Sequence, residues 1–314
     1  AWDTSGNLTI SQPILVTVNN VGYYPQGVDV LSVDYTLDEM IITWGPSTDS
    51  DFSSYELLYS LNSNLEDSEI LFFTTDSTDI EYVITDFSPL HENWFWVRVT
   101  DLYGLITIGN GMTNEIDSPP TQIDISSVTY DLSEMVVVWE QSSDYDFVSY
   151  ELLYSTTEDG EYTVVDTITN VSSTTYITTD YNPLIENWYK VRVTDYWGLT
   201  TIGVGMTNEI DSPPTPSEIN LIIFENDSFI ITWSQNNDND FESYTLYESF
   251  SSDMSGQTEI YNTNSNTEIS YIVTGVSEDE IRYYQIVVED VWGLQTESNI
   301  ERGDSHDWFI KTFG

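Results

Sequence analysis

Three pairs of aspartates have the types and the spacing to carry chemistry in this chain. Each pair stands five and seven residues after a tryptophan; the pairs are Asp49/Asp51, Asp144/Asp146 and Asp238/Asp240. Carboxylates at this spacing accept hydrogen bonds within their own turn, or they ligate a cation such as Ca²⁺, which takes oxygen ligands. For any one pair alone, a turn is the simpler interpretation. Cation binding is the better interpretation only where the fold brings further acids close to the pair.

The three tryptophans that precede these pairs mark a repeat. Trp44, Trp139 and Trp233 are 95 and 94 residues apart (139 − 44 and 233 − 139). A period of this length is too long for a solenoid and is the size of an independent small domain. The chain of 314 residues therefore predicts three similar domains in a row.

Each repeat has the pattern of short strands. In the second repeat, apolar and polar residues alternate over 135–139, 150–154 and 189–194, as they do in half-buried strands. Turn signals such as Asn182-Pro183 separate these segments, and no helical periodicity of useful length is present. Several short strands in about 94 residues predict an antiparallel β-sandwich.

The order of motifs within the repeat resembles bacterial fibronectin type III modules. Tryptophan is followed by AspXxxAspPhe, by SerTyrXxxLeu, and by a tyrosine-rich strand that ends in Val-Xxx-Asp and glycine. The resemblance covers roughly residues 27–303 and implies an all-β fold of three tandem sandwiches in an extended rod. It also implies a tyrosine-corner hydrogen bond at Tyr189 and Tyr284, which Phe95 cannot make in the first repeat. The expected modules are 27–118, 119–213 and 214–303.

Both ends of the chain are expected to be fragments of neighbouring modules. Residues 1–26 are interpreted as the last strand of a preceding sandwich and a linker, because Asp3 and Gly6 repeat the AspXxxXxxGly spacing of Asp101 and Gly104. Residues 304–314 are interpreted as the start of a following module or as an edge strand.

We letter the strands of such a sandwich A to G in chain order. The linker that enters a domain then lies at the same pole as the B–C loop, between its second and third strands, and the F–G loop, between its sixth and seventh. We therefore expect acids from all three elements to converge at each joint. The set at the first joint is Glu115, Asp117, Asp144, Asp146 and Asp195, and the set at the second is Glu209, Asp211, Asp238, Asp240 and Asp290. Several carboxylates at one point repel each other unless a cation lies among them. The sequence predicts Ca²⁺ at these joints, with Asp49 and Asp51 as equivalent candidates in the first repeat.

Three aromatic residues precede the F–G glycines, namely Tyr103, Trp197 and Trp292. They are expected to cover the linker prolines and stiffen the joints; the alternative is that they stack on a sugar ring.

The composition limits the function. The chain has 54 acidic and 6 basic residues, a formal net charge of −48, which opposes binding to nucleic acid or to anionic membranes. It has no cysteine, no apolar run long enough to span a membrane, and none of the common catalytic motifs.

We therefore expect a non-enzymatic stalk, adhesin or fibre segment of a large bacterial extracellular protein, at the cell surface, whose partners are neighbouring modules of the same polypeptide. Two alternatives remain open. One is a glycan-binding accessory region of a secreted polysaccharide-degrading enzyme. The other is a subunit of a self-assembling filament that binds other copies of the chain.

Overall fold

The computed structural model of the chain describes residues 4–6 and 22–306. Every regular element in these ranges is a β-strand, which confirms the all-β prediction. The predicted terminal segments, 1–26 and 304–314, lie outside the described residues except for 4–6, 22–26 and 304–306.

The described strands form three pairs of sheets, and we call each pair a sandwich. In each, the first, second and fifth strands make one sheet, and the fourth, third, sixth and seventh make the other. This is the strand order of immunoglobulin-like sandwiches, with the fourth strand beside the third. Neighbouring strands with a defined register are antiparallel.

Sandwich 1 contains eight strands. They are β1 (Val30–Tyr35), β2 (Met40–Trp44), β3 (Phe52–Ser60), β4 (Glu69–Thr74), β5 (Glu81–Ile84), β6 (Trp94–Asp101), β7 (Ile106–Ile108) and β8 (Met112–Thr113). The short strand β8 pairs with β6 beyond the end of β7.

Sandwich 2 contains seven strands. They are β9 (Ile125–Tyr130), β10 (Met135–Trp139), β11 (Phe147–Ser155), β12 (Thr163–Ile168), β13 (Thr175–Thr178), β14 (Trp188–Asp195) and β15 (Thr200–Ile202).

Sandwich 3 contains eight strands. They are β16 (Ile223–Glu225), β17 (Ser228–Thr232), β18 (Phe241–Ser249), β19 (Thr258–Thr263), β20 (Ser270–Thr274), β21 (Ile281–Asp290), β22 (Gln295–Glu297) and β23 (Glu301–Asp304). Strand β23 pairs with β21, as β8 does with β6.

The alternation seen in the sequence becomes the core. On β2 and β10, every second residue is buried and the tryptophan ends the buried row. Trp44, Trp139 and Trp233 are each at most 2% exposed, and each ring packs edge-on against a buried tyrosine of the facing sheet. Burial of such large apolar surfaces is the main force that joins the two sheets.

The tyrosine-corner prediction is wrong. The Tyr284 hydroxyl donates to Glu248 Oε2 at 2.8 Å, and the Tyr189 hydroxyl lies 3.8 Å from Met135 Sδ. Glu248 lies opposite Tyr284 on the neighbouring strand β18, and Met135 lies on β10 of the facing sheet, so both partners are side chains and neither is a backbone group a few residues upstream. Phe95 therefore takes the place of a core tyrosine, and no backbone bond is lost with it.

By its contacts the chain divides into two compact units. The described part of the first unit contains residues 4–6 and 22–121 with the loops 143–148 and 194–201. The second unit contains residues 122–142, 149–193 and 202–306. The linker that follows sandwich 1 thus belongs to the same unit as the two loops that carry Asp146 and Asp195. The second linker and both loops of sandwich 3 belong to the other.

Candidate metal centres

The first aspartate of each pair holds the linker that enters its sandwich. Asp144 accepts hydrogen bonds from the Thr121 amide at 2.9 Å and the Thr121 hydroxyl at 2.8 Å. Asp238 accepts the same two bonds from Thr215, and Asp49 accepts one from the Gln26 amide at 2.8 Å. Burial raises the pKa of Asp238, but the bonds from Asn236 and Thr215 outweigh it and hold the pKa below its ordinary value. These three carboxylates serve the backbone.

The second aspartate of each pair is fixed by the backbone of the F–G loop. The carbonyls of Asp51, Asp146 and Asp240 each accept an amide of that loop at 2.8 Å. The donors are Leu102, Tyr196 and Val291 in turn. The three loops therefore have the same local frame.

The F–G loop contributes a buried aspartate in every sandwich. One oxygen of Asp195, Oδ1, accepts the amides of Trp197 at 3.0 Å and Leu199 at 2.8 Å. Asp101 and Asp290 accept the two equivalent amides. The tight turn needs a left-handed residue three positions on, and Gly198 supplies it with φ of 87°. Asp195 is only 2% exposed, yet its second oxygen, Oδ2, has no hydrogen-bond partner.

Two triads of carboxylates result from this geometry. Asp117, Asp146 and Asp195 each offer an oxygen such that the three atoms lie within 4.8 Å of one another. Asp211, Asp240 and Asp290 form the equivalent triad of the second unit. The Oδ2 atoms of Asp117, Asp211 and Asp290 are buried without a hydrogen-bond partner, like that of Asp195. Buried polar oxygens usually have a hydrogen-bond partner, so these four oxygens are candidates to accept a bond from water or to ligate a cation.

The triads are electrostatically unfavourable as bare anions. Burial raises the pKa of Asp117, and the charges of Asp146 and Asp195 raise it further. Burial likewise raises the pKa of Asp211, despite its hydrogen bond from a tyrosine, and Asp240 and Asp290 add to the shift. A hard divalent cation relieves this repulsion, because an all-carboxylate donor set is the type that such cations prefer.

The basic side chains of the described residues are engaged elsewhere. Arg98 pairs with Glu56 and Arg192 with Glu151 across neighbouring strands of one sheet, both at 2.5 Å. Arg282 pairs with Glu248 and Glu280, and Arg302 pairs with Asp304. Lys190 lies over the Tyr162 ring. Within 22–306, no arginine or lysine pairs with a triad carboxylate.

Sequence reasoning had not identified two tyrosines that hold the linker aspartates. The hydroxyl of Tyr35, at the end of β1, donates to Asp117 Oδ1 at 3.3 Å. Tyr130, at the end of β9, donates to Asp211 Oδ1 at 3.1 Å. A signal was present, because both tyrosines stand nine residues before the core tryptophan, where the third repeat has Phe224. These bonds point the remaining oxygen of each linker aspartate at its triad.

We expect Tyr35→Phe to weaken cation binding at the first triad by roughly three- to tenfold. The change removes one hydrogen bond of about 1 kcal/mol to a charged acceptor and leaves the ring in place. Calcium titration followed by calorimetry measures the effect. Tyr82→Phe is the matched control in the same sandwich, where the ring stacks on Phe72. Equal affinities for both variants would contradict a positioning role of Tyr35.

Aromatic residues surround both triads in the same arrangement. The Trp197 ring lies 5.3 Å from that of Phe87 and 6.3 Å from that of Tyr35. In the second unit, Trp292 lies 5.8 Å from Tyr181, which lies 6.2 Å from Tyr130. Trp292 also lines a cavity together with Pro213 and Pro214. The F–G tryptophans thus pack on the preceding sandwich beside each triad.

The remaining predicted ligands lie outside the triads. Glu115 and Glu209 are exposed in the linkers, and Asp144, Asp238 and Asp49 bond the linkers as described. Asp51 precedes Phe52, which pairs with Asp101 in the sheet, and no group of three acids among the described residues includes either aspartate. The prediction that linker, B–C and F–G acids converge holds for one residue of each element, and the identity of any bound ion stays a prediction.

Comparison with known proteins gives similarity to solved structures and no family. No helix among the described residues has the length and apolarity to cross a membrane. No protein-family model matches the chain, and no curated protein matches it. Among solved structures, the chain is similar to the FN1–FN3 domains of chicken CNTN1, with 16% sequence identity over 90% of this chain and 99% of that one, at a TM-score of 0.29.

Proposed function

We propose that this chain is a non-enzymatic spacer of a large bacterial extracellular protein, a stalk or fibre segment made of fibronectin type III-like sandwiches whose joints are closed by calcium. One observation carries the proposal. An equivalent triad, at least partly buried, occurs at two successive linkers, with equivalent unpaired oxygens and an equivalent tyrosine that bonds the linker aspartate. A constellation that recurs at each joint serves the joints, whereas a catalytic centre seldom recurs in tandem domains.

A cation at a triad would bind three separate segments together. At the first triad these are the linker at Asp117, the B–C loop at Asp146 and the F–G loop at Asp195. Without the ion, repulsion between the three carboxylates opposes their approach. With it, the linker is fixed to both loops, and the ring contacts of Trp197 complete the joint. The joint is therefore expected to be flexible in chelator and stiff in calcium.

Calcium suits these sites better than magnesium. Ca²⁺ takes six to eight oxygens in flexible geometry, so three carboxylates and water satisfy it. Mg²⁺ demands near-ideal octahedral geometry and gives up its water reluctantly. Extracellular calcium modules bind in the range of about 10⁻⁴ to 10⁻³ M, which fits a protein outside the cell.

A glycan-binding accessory region is the second candidate. A cavity of about 520 Å³ opens beside the second triad and is lined by Tyr130, Trp292, Asp211 and Asp240, among others. Its volume is within the usual range of ligand sites, and its aromatic walls favour a sugar ring. Calcium-dependent retention on a polysaccharide column would favour this function over the spacer.

Small-angle scattering of the chain tests the proposal. We expect the maximum dimension to become sharply defined when calcium replaces chelator. Monovalent salt at equal ionic strength is the control, because general screening of the −48 charge would act with either salt. Identical scattering profiles in calcium and in chelator would contradict the proposal and leave these acids with a role in turns and solubility only.

A further inference from the structure

Sandwich 1 has counterparts of two of the three triad aspartates, at the end where its linker enters. The carbonyl of Asp51 accepts the amide of Leu102 at 2.8 Å, the same bond that places Asp146 and Asp240 in the complete triads. Asp101 occupies the position of Asp195 and Asp290, with one oxygen accepting the amides of Tyr103 and Leu105, both at 2.8 Å. The loops that build a cation site are therefore all present.

Asp101 has a buried oxygen that could serve as a ligand at this pole. The residue is 2% exposed, and its Oδ2 atom is buried without a hydrogen-bond partner. The hydrogen bonds to its other oxygen account for the turn and leave Oδ2 unexplained. In the complete triads, the same oxygen of Asp195 and Asp290 is also unpaired.

The missing third carboxylate can be located in the sequence. The linker residue that bonds the first aspartate of each pair is Gln26, Thr121 or Thr215. Four residues earlier, the complete triads have Asp117 and Asp211, and sandwich 1 has Gly22. A Cβ built on Gly22 would lie 2.8 Å from Leu105 Cδ1, so this glycine lies against the loop that carries Asp101.

We propose that Asp51 and Asp101 hold a third divalent cation, more weakly than the triads hold theirs. An oxygen from outside the site would take the position of the third carboxylate. The inference rests on the proposed function, since it assumes that the triads bind such ions. Affinity in calcium sites falls as the number of charged ligands falls. We therefore expect binding at least tenfold weaker than at the triads.

The surroundings support an open site. In the other repeats, a tryptophan of the F–G loop packs on the preceding sandwich beside the triad. The equivalent residue here is Tyr103, which is 61% exposed, and its neighbour Leu102 is 71% exposed. An ion at this pole keeps coordination positions that face outward, available to water or to a carboxylate of another molecule.

Calcium titration of the full chain by calorimetry tests the inference. We expect two tighter ions and one weaker ion in the wild type, and loss of only the weaker ion in Asp101→Asn. Asp51→Asn should have the same effect, and it spares the hydrogen bonds that Asp101 makes to its turn. Asp38→Asn, an exposed acid of the β1–β2 turn, is the control and should retain all three ions.

Gly22→Asp is the constructive test. It supplies the third carboxylate, and the only close contact is the flexible end of Leu105. We expect the weak site to gain at least tenfold in affinity and to reach the level of the triads. A wild type that binds only two ions overturns the inference and leaves the proposed function standing. A chain that binds no ion at all overturns both.

Discussion

Replacing one aspartate in each triad by asparagine is expected to remove most of the stability that the chain gains from calcium. In chelator, Asp146→Asn/Asp240→Asn should melt at or above the wild-type temperature, because the change removes a like charge from each triad without altering its shape. In calcium, the wild type should gain about 2.7 kcal/mol per site at a hundred times the dissociation constant. The variant should gain little, leaving it roughly 10 °C below the wild type.

The informative outcome is that the order of the two melting temperatures, wild type and variant, changes between chelator and calcium. Scanning calorimetry in chelator and in calcium measures it, and Asp159→Asn, an exposed acid in the β11–β12 turn, is the control. If the variant melts below the wild type in both buffers by the same amount, the two aspartates stabilise turns and bind no ion.

The second large effect is expected in the core. Trp139→Ala should destabilise sandwich 2 by about 3–5 kcal/mol, because it opens a large cavity between the sheets where the ring meets Tyr150. Trp139→Phe should cost much less than this. The indole nitrogen is buried without a hydrogen-bond partner, so the smaller ring forfeits packing but no hydrogen bond.

Urea unfolding followed by circular dichroism measures these differences. Trp188→Ala is the matched control in the same sandwich, since its ring is only partly buried and its indole nitrogen already bonds Glu186 at the surface. A loss of similar size at Trp188 would show that the buried position of Trp139 carries no special weight.

The fold could be predicted from the sequence because its signals are repeated and local. Alternation on β2 and β10 indicates which face is buried, and the period of 94 to 95 residues indicates where each sandwich recurs. The convergence of three acids followed from topology alone, since the linker and the B–C and F–G loops of such a sandwich share one pole.

The division of roles within each pair of aspartates could not be predicted. Asp144 and Asp146 differ by two positions, and only the path of the linker decides that Thr121 reaches the first and leaves the second to the triad. The contribution of Tyr35 also depends on the end of a strand far from the site in sequence. The corner assignment of Tyr189 and Tyr284 failed because a strand pattern does not fix the direction of a hydroxyl.

The loops that carry the aspartate pairs are tied to the core by a bond of unusual type. The Ser142 amide donates to the hydroxyl of the buried Tyr150 at 2.7 Å, and Ser47 and Asn236 donate equally to Tyr55 and Tyr244. An amide in a loop ordinarily exchanges its hydrogen with solvent within local fluctuations. These three can do so only when the tyrosine leaves the core, so deuterium should enter them as slowly as it enters the central strands.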